Sequence, residues 1–291
     1  MNKKEIAIGI VRQLLWFALF FIVSFITSIC AAVPLALVKY REVLLTLFYS
    51  IGDYDKFKSY LSAMLSDSSV VSFYNDIVIL SEILTFVVFF CIYIVKNHMV
   101  LEKKRDDALP AGRIIHLISL GCLLNFIITF LISLIPMEFM EASGYMEATN
   151  FQGTTVFLII AFGICAPVLE EIIFRDLMYK SLSNYKILSA IISSILFGVA
   201  HLNIIQGLYA FLLGIFFVYA NEKYDTILPS SIMHLAINFV SLTIIWAENN
   251  DIMFELIALI VGFFIIAIFI LDCVLNHKQI KCEGLMYFVR C

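Results

Sequence analysis

The chain has 291 residues, of which 62% are hydrophobic and only 14% charged, with a mean hydropathy of +1.00 and a formal net charge of -4. That balance excludes a soluble globular domain, and the absence of any basic block excludes a nucleic-acid-binding protein. It fits an all-α polytopic membrane protein.

Helices need about 20 apolar residues to cross about 30 Å of hydrocarbon. Eight runs qualify, at about 11–36, 76–95, 114–136, 154–175, 187–203, 205–220, 227–247 and 252–274. The first, from Leu14 to Val38, is too long for a signal-peptide core and reads as a retained span. Threading eight spans puts Lys3, Lys4 and Arg12, the Lys96–Arg113 loop, Arg175, Lys180 and Lys186, and Lys278, Lys281 and Arg290 on one side. By the positive-inside rule that side is cytoplasmic, with both termini. The acidic loops with Glu138, Glu141 and Glu147, and with Glu248 and Asp251, fall opposite.

Between the first two spans, residues 39–75 mix charges with apolar residues such as Phe48, Phe57 and Tyr60. They read either as one or two amphipathic helices at the outer interface or as a packed extramembrane loop. The organisation expected is residues 1–150 as N-terminal spans with this segment, 151–245 as a functional core, and 246–291 as a last span and tail. Seven scattered cysteines, with no paired spacing, indicate neither a disulfide framework nor a thiolate metal site. The terminal Phe-Val-Arg-Cys is not a prenylation box.

The fourth span has adjacent carboxylates, Glu170 and Glu171. Each ionisable group in such a segment costs about 2.5–3.5 kcal/mol on insertion scales, so these mark function. On a helix Glu171 meets Arg175 one turn on and can pair with it. Glu170 shares a face with Phe174, Gly163, Ala166 and Pro167, and is the better general base. Pro167 removes an amide donor and predicts a kink or local opening.

Later spans repeat the four-residue spacing, as Phe197 with His201 and His234 with Asn238. Glu170 and His201 could hold and deprotonate a water. His234 and Asn238 could stabilise the oxyanion formed when that water attacks a carbonyl. Zinc held by Glu170, His201 and His234 is an alternative, although the chain has no H-E-x-x-H motif. The histidine and asparagine pairs can also be read as interhelical hydrogen-bonding glue. Counting about 1.5 Å per residue puts Glu170 and His234 within roughly 10 Å of the cytoplasmic edge but His201 roughly 20 Å deep. For them to meet, either the fifth span starts several residues later, with Arg175 to Ser189 as a longer cytoplasmic turn or helix extension, which is the preferred reading, or the bundle is tilted and thinned there.

E-E-x-x-x-R at Glu170, Glu171 and Arg175, F-x-x-x-H at Phe197 and His201, and H-x-x-x-N at His234 and Asn238 resemble the CPBP intramembrane proteases. That group includes CAAX prenyl endopeptidases and bacterial Abi proteins of bacteriocin processing and immunity. The resemblance covers roughly residues 150–245. It implies a metal-free glutamate-dependent endopeptidase: Glu170 and His201 activate water, His234 and Asn238 form the oxyanion hole, and Glu171 and Arg175 support them or contact the substrate terminus. The expected substrate is a membrane-associated peptide or protein, whether lipidated, a leader peptide or a bacteriocin precursor, in a cavity facing the cytoplasm of a bacterial plasma membrane. A non-catalytic immunity or scaffold protein and a proton-coupled transporter are the competing classes.

Overall fold

The computed structural model describes residues 2–39, 41–65, 68–101, 109, 111–149 and 155–248. All regular structure among them is helical: α1 (Lys3–Lys39), α2 (Arg41–Ser50), α3 (Tyr54–Leu65), α4 (Ser68–Leu101), α5 (Ala111–Ser133), α6 (Met137–Ala142) and α7 (Tyr145–Thr149). The core follows with α8 (Thr155–Leu158), a π-helical segment (Ile159–Cys165), α9 (Ala166–Glu171), a second π segment (Ile172–Met178), a 3-10 turn (Tyr179–Tyr185), α10 (Lys186–Ala200), α11 (Ile204–Tyr224) and α12 (Leu228–Glu248).

Six helical stretches among the described residues are long and apolar enough to cross a membrane, which makes this an integral membrane protein. One of them, Val156–Ala200, is 45 residues long and contains both the fourth and the fifth expected spans. Its two halves run antiparallel. The chain bends at Leu182, where φ is -133° and ψ 25°, and the Phe174 ring lies 5.0 Å from that of Phe197 across the bend. The expected span at 252–274 and the tail lie outside the described residues. The 39–75 segment is helical, as α2 and α3, with Phe48, Tyr49, Ile51 and Tyr54 exposed around the connecting turn.

Lipid tails are as apolar as leucine, so helix association inside a bilayer rests on close packing and interhelical hydrogen bonds. Both are present. At the α10–α11 crossing a Cβ on Gly198 would stand 2.5 Å from the Gly207 carbonyl oxygen, so only a hydrogen fits. Gly121 meets the Met233 carbonyl in the same way, drawing α5 onto α12 beside His234.

Polar ties join the other pairs. Gln13 of α1 donates to Ser189 of α10 at 2.7 Å, Thr27 of α1 and Thr85 of α4 bond at 2.7 Å, and Asn125 of α5 donates to the Ile237 carbonyl of α12 at 3.1 Å. Each is worth about 0.6–2 kcal/mol. The apolar core gathers around the two π segments, where Leu169, Ile172, Phe174 and Met178 pack with Phe89 of α4 and Phe197 of α10.

Candidate active site

Pro167 has no amide hydrogen, so the turn before it cannot close in the ordinary α pattern. The structure accommodates this with π geometry: the Ala166 amide donates to the Ala161 carbonyl, five residues back. A second π segment follows the glutamates, closed by the Tyr179 amide on the Phe174 carbonyl. Such wide turns occur often at functional sites. Here they bracket α9, the short helix that carries Glu170 and Glu171.

Glu171 is fully buried and faces two partners. Arg175 Nε lies 3.3 Å from its Oε2, the expected one-turn pair. The second partner is His234 of α12, whose Nδ1–H donates to Glu171 Oε1 at 3.0 Å. A carboxylate oxygen can only accept, so this bond fixes the tautomer at Nδ1 and turns Nε2 outward. His234 Nε2 then stands 3.5 Å from Glu170 Oε2. One imidazole is thus clasped between two carboxylates, the inner one closed off and the outer one, Glu170, with 22% of its side chain accessible.

Arg175 is buried among aromatic faces. Its guanidinium carbon lies 4.3 Å from the centroid of the Phe197 ring and 5.4 Å from that of Phe217. Its terminal nitrogens have no hydrogen-bond partner among the described residues. Cation–π contact, worth about 2 kcal/mol in a desolvated setting, takes the place of the missing bonds.

Phe197 also touches both candidate histidines, with ring centroids 5.0 Å from His201 and 5.9 Å from His234. His201 caps the C-terminus of α10 and its Nδ1–H donates to the Phe197 carbonyl at 2.9 Å, leaving Nε2 for a further partner. The next residue, Leu202, is exposed and held at φ 53°. A leucine in that left-handed region costs about 1–2 kcal/mol. Asn203 follows, accepting from the Ile205 and Gln206 amides to cap α11 and donating to the Ser143 carbonyl before α7. Asn238, one turn beyond His234, donates to the Phe162 carbonyl in the first π segment at 2.8 Å.

One expectation is corrected in part. The fifth span is expected to start several residues later, with Arg175 to Ser189 as a longer turn or helix extension; helix does extend through Met178, but α10 already begins at Lys186. Arg175 and Phe174 pack on Phe197, so Glu170 lies one turn before, and His201 one turn after, residues in contact across the bend. Glu170 stands beside His234, and among the described residues no hydrogen bond or ion pair joins it directly to His201.

Among the described residues no three His, Cys, Asp or Glu side chains group as metal ligands. Both nitrogens of His234 face carboxylates, and Nδ1 of His201 faces a carbonyl.

Sequence reasoning passed over Glu82 on α4, which is within electrostatic reach of Glu170. The rule that singled out Glu170, an acid inside an apolar span, applies equally to it. Tyr209 of α11, hydrogen-bonded to Gln206, also lies in the field of Glu170, but neither residue carries a periodic signal that would distinguish it from core.

Residues 152–240 match the family model described as type II CAAX prenyl endopeptidase Rce1-like. No curated protein and no solved structure matches the chain. The matched segment begins just before α8 and ends two residues past Asn238, so it contains every residue of the cluster on α9, the second π segment, α10 and α12. Over this stretch, about a third of its length, the chain is similar to the Rce1-like type II CAAX prenyl endopeptidases.

Proposed function

We propose that this protein is an intramembrane endopeptidase that hydrolyses a peptide bond of a membrane-associated peptide or protein, with Glu170 as general base. The observation that carries the reading is the clasp on His234: Glu171 at Nδ1, 3.0 Å away, and Glu170 at Nε2, 3.5 Å away. A reactive group oriented by a buried partner is the arrangement of a hydrolytic site. A purely structural pair would have both carboxylates sealed, whereas Glu170 retains an accessible face.

In the reaction, Glu170 takes a proton from water as the water oxygen bonds to the scissile carbonyl carbon. His201, across Phe197, offers Nε2 to the same water. The oxyanion develops against Asn238 and against His234, which donates through Nε2 when both its nitrogens carry protons. As the C–N bond breaks, the proton on Glu170 passes to the leaving nitrogen, giving a carboxylic acid and an amine. General-base assistance and oxyanion stabilisation each contribute about 10²-fold or more. Glu171 and Arg175 hold His234 and do not touch the substrate. The donor arrangement favours water activation without metal over a zinc site, and the lysine and arginine bias favours a cavity reached from the cytoplasm. Leader peptides, bacteriocin precursors or lipidated peptides are the substrate classes to try.

The test is cleavage of fluorogenic, lipid-anchored peptides by protein reconstituted in liposomes, comparing wild type with Glu170→Gln, His201→Ala and His234→Ala, each with and without a chelator. The reading expects loss in all three variants and indifference to the chelator. Activity that falls with chelator and returns with zinc overturns the metal-free scheme. Full activity in Glu170→Gln overturns the site.

A further inference from the structure

His234 stands on α12, whose first turn is gripped by a residue that the mechanism above does not use. Asn221, in the last turn of α11, accepts from the Ser230 amide at 3.0 Å through its side-chain oxygen and donates to the Ser230 hydroxyl at 2.7 Å through its nitrogen. Ser230 is fully buried, and its hydroxyl gives its own proton to the Ile227 carbonyl at 3.1 Å. The Ser230 amide is one of those at a helix start that have no partner within the helix, and within a bilayer the protein itself must supply one. Capping needs only the first of the two bonds. The second ties the hydroxyl as well, so the helix is fixed in height and in rotation about its axis.

The grip lies one turn from the site on both helices. Ser230 and His234 are four residues apart on α12, and Phe217 and Asn221 are four apart on α11, so each pair shares a face. The two helices run antiparallel, and the Phe217 ring stands 5.1 Å from the His234 ring. Asn221 with Ser230, and Phe217 with His234, are therefore successive rungs of one helix contact.

The rest of α11 is bound to α10, which carries Phe197 and His201. Lys186 pairs with Glu222 at 2.6 Å at one end, and Gly198 meets Gly207 at the other. The connection from α11 to α12 adds little: a left-handed Asp225 at φ 49° and a long bond, 3.4 Å, from the Leu228 amide to the Thr226 hydroxyl. On its other side α12 is steadied by α5, through Gly121 at Met233 and Asn125 at Ile237, but α5 carries no residue of the site. Asn221 is the polar link that refers His234 to the helices holding His201.

We propose that Asn221 is a positioning residue for catalysis: its paired hydrogen bonds to Ser230 set the register of α12 so that His234 meets Glu171 through Nδ1 and turns Nε2 toward Glu170. The proposal rests on the reading of Glu170 and His234 as the hydrolytic site. The margin is narrow. Nδ1 lies 3.0 Å from Glu171 Oε1, and a contact of about 3.6 Å is no longer a hydrogen bond. A slip of α12 by less than about 1 Å frees the ring to take the other tautomer, and misplacement on that scale can cost about 100-fold in rate.

The test reads the His234 tautomer and the kinetics side by side in Asn221→Ala, Ser230→Ala and Thr27→Val, the last breaking an α1–α4 tie away from α12. The tautomer is taken from the nitrogen-15 resonances of the imidazole in liposomes, at a pH where the ring is neutral, with His234→Ala assigning the signal. Wild type should show Nδ1 protonated. Asn221→Ala is expected to show both tautomers and to lose kcat about 10- to 100-fold with KM within about two-fold. Ser230→Ala keeps the amide bond and loses the other, so it should fall between. Thr27→Val should unfold earlier yet keep the tautomer and kcat.

Asn221→Ala with the wild-type tautomer and kcat, however far its unfolding midpoint drops, makes Asn221 an ordinary helix cap and overturns the proposal. If that variant does not fold, Ser230→Ala decides by the same two readouts, and a wild-type result there overturns it. A tautomer that is lost in Thr27→Val as well reports general loosening and overturns it too. The tautomer needs no substrate: full activity in Glu170→Gln beside a mixed tautomer in Asn221→Ala overturns the general-base reading and supports the register role of Asn221.

Discussion

Glu171 and Asp176 lie on the same helical stretch and both are shut off from solvent, yet their neighbourhoods differ in kind. Asp176 is met by Lys96 at 2.9 Å and by Lys180, whose side chains remain 42% and 48% exposed and reach in from the edge of the bundle. Long lysine stems allow this: the charge is neutralised while each ammonium keeps contact with the polar surface. Glu171 has a buried arginine without aligned hydrogen bonds, a histidine, and a second carboxylate just beyond. The first cluster is closed and ties α4 to the second π segment. The second is left open on the Glu170 side, where 22% of the side chain is accessible.

Removing the open carboxylate should have the largest consequence. Glu170→Gln is expected to lower cleavage about 10³-fold while leaving thermal unfolding in detergent near wild type, because this side chain is partly exposed.

Stability separates the clusters next. Arg175→Ala leaves Glu171 buried without its cation and should cost about 3–5 kcal/mol, the price of an uncompensated interior charge. It should be read from the unfolding midpoint. The double variant Glu171→Gln/Arg175→Met should recover most of that stability and little activity, since His234 loses the acceptor that orients it.

Gly198→Ala tests position without touching charge. The added methyl collides with the Gly207 backbone, at a cost of about 1–3 kcal/mol, and displaces Phe197 and His201 together. Activity should fall while the Lys96–Asp176 link is kept.

Asp176→Asn should do least. Its lysines are about half exposed, so solvent screening reduces each pair to about 1 kcal/mol or less, and cleavage should stay near wild type. A loss as deep as that of Glu170→Gln would erase the distinction between the clusters.

Much of this was legible from spacing. Glu171 before Arg175 at one turn predicts their pair, and the pair is present. Pro167 predicts a local opening, and a π segment precedes it. The clasp on His234 was not legible, because it joins helices distant in sequence, and its register depends on two π segments with no compositional signature. The bend at Leu182 falls inside the expected connection from Arg175 to Ser189, but how far helix runs past Arg175 was not legible, because Met178 and Tyr179 continue the apolar run with no glycine or proline to mark a stop. Glu82 is an acid inside an apolar span like Glu170, but it falls in no four-residue pair that would set it apart.

The most direct test of the account is a side-by-side cleavage assay of Glu170→Gln, Glu171→Gln and Asp176→Asn against wild type in the same liposomes. The account predicts near-complete loss for Glu170→Gln, a large partial loss for Glu171→Gln through misorientation of His234, and close to full activity for Asp176→Asn. Wild-type cleavage by Glu170→Gln would contradict it.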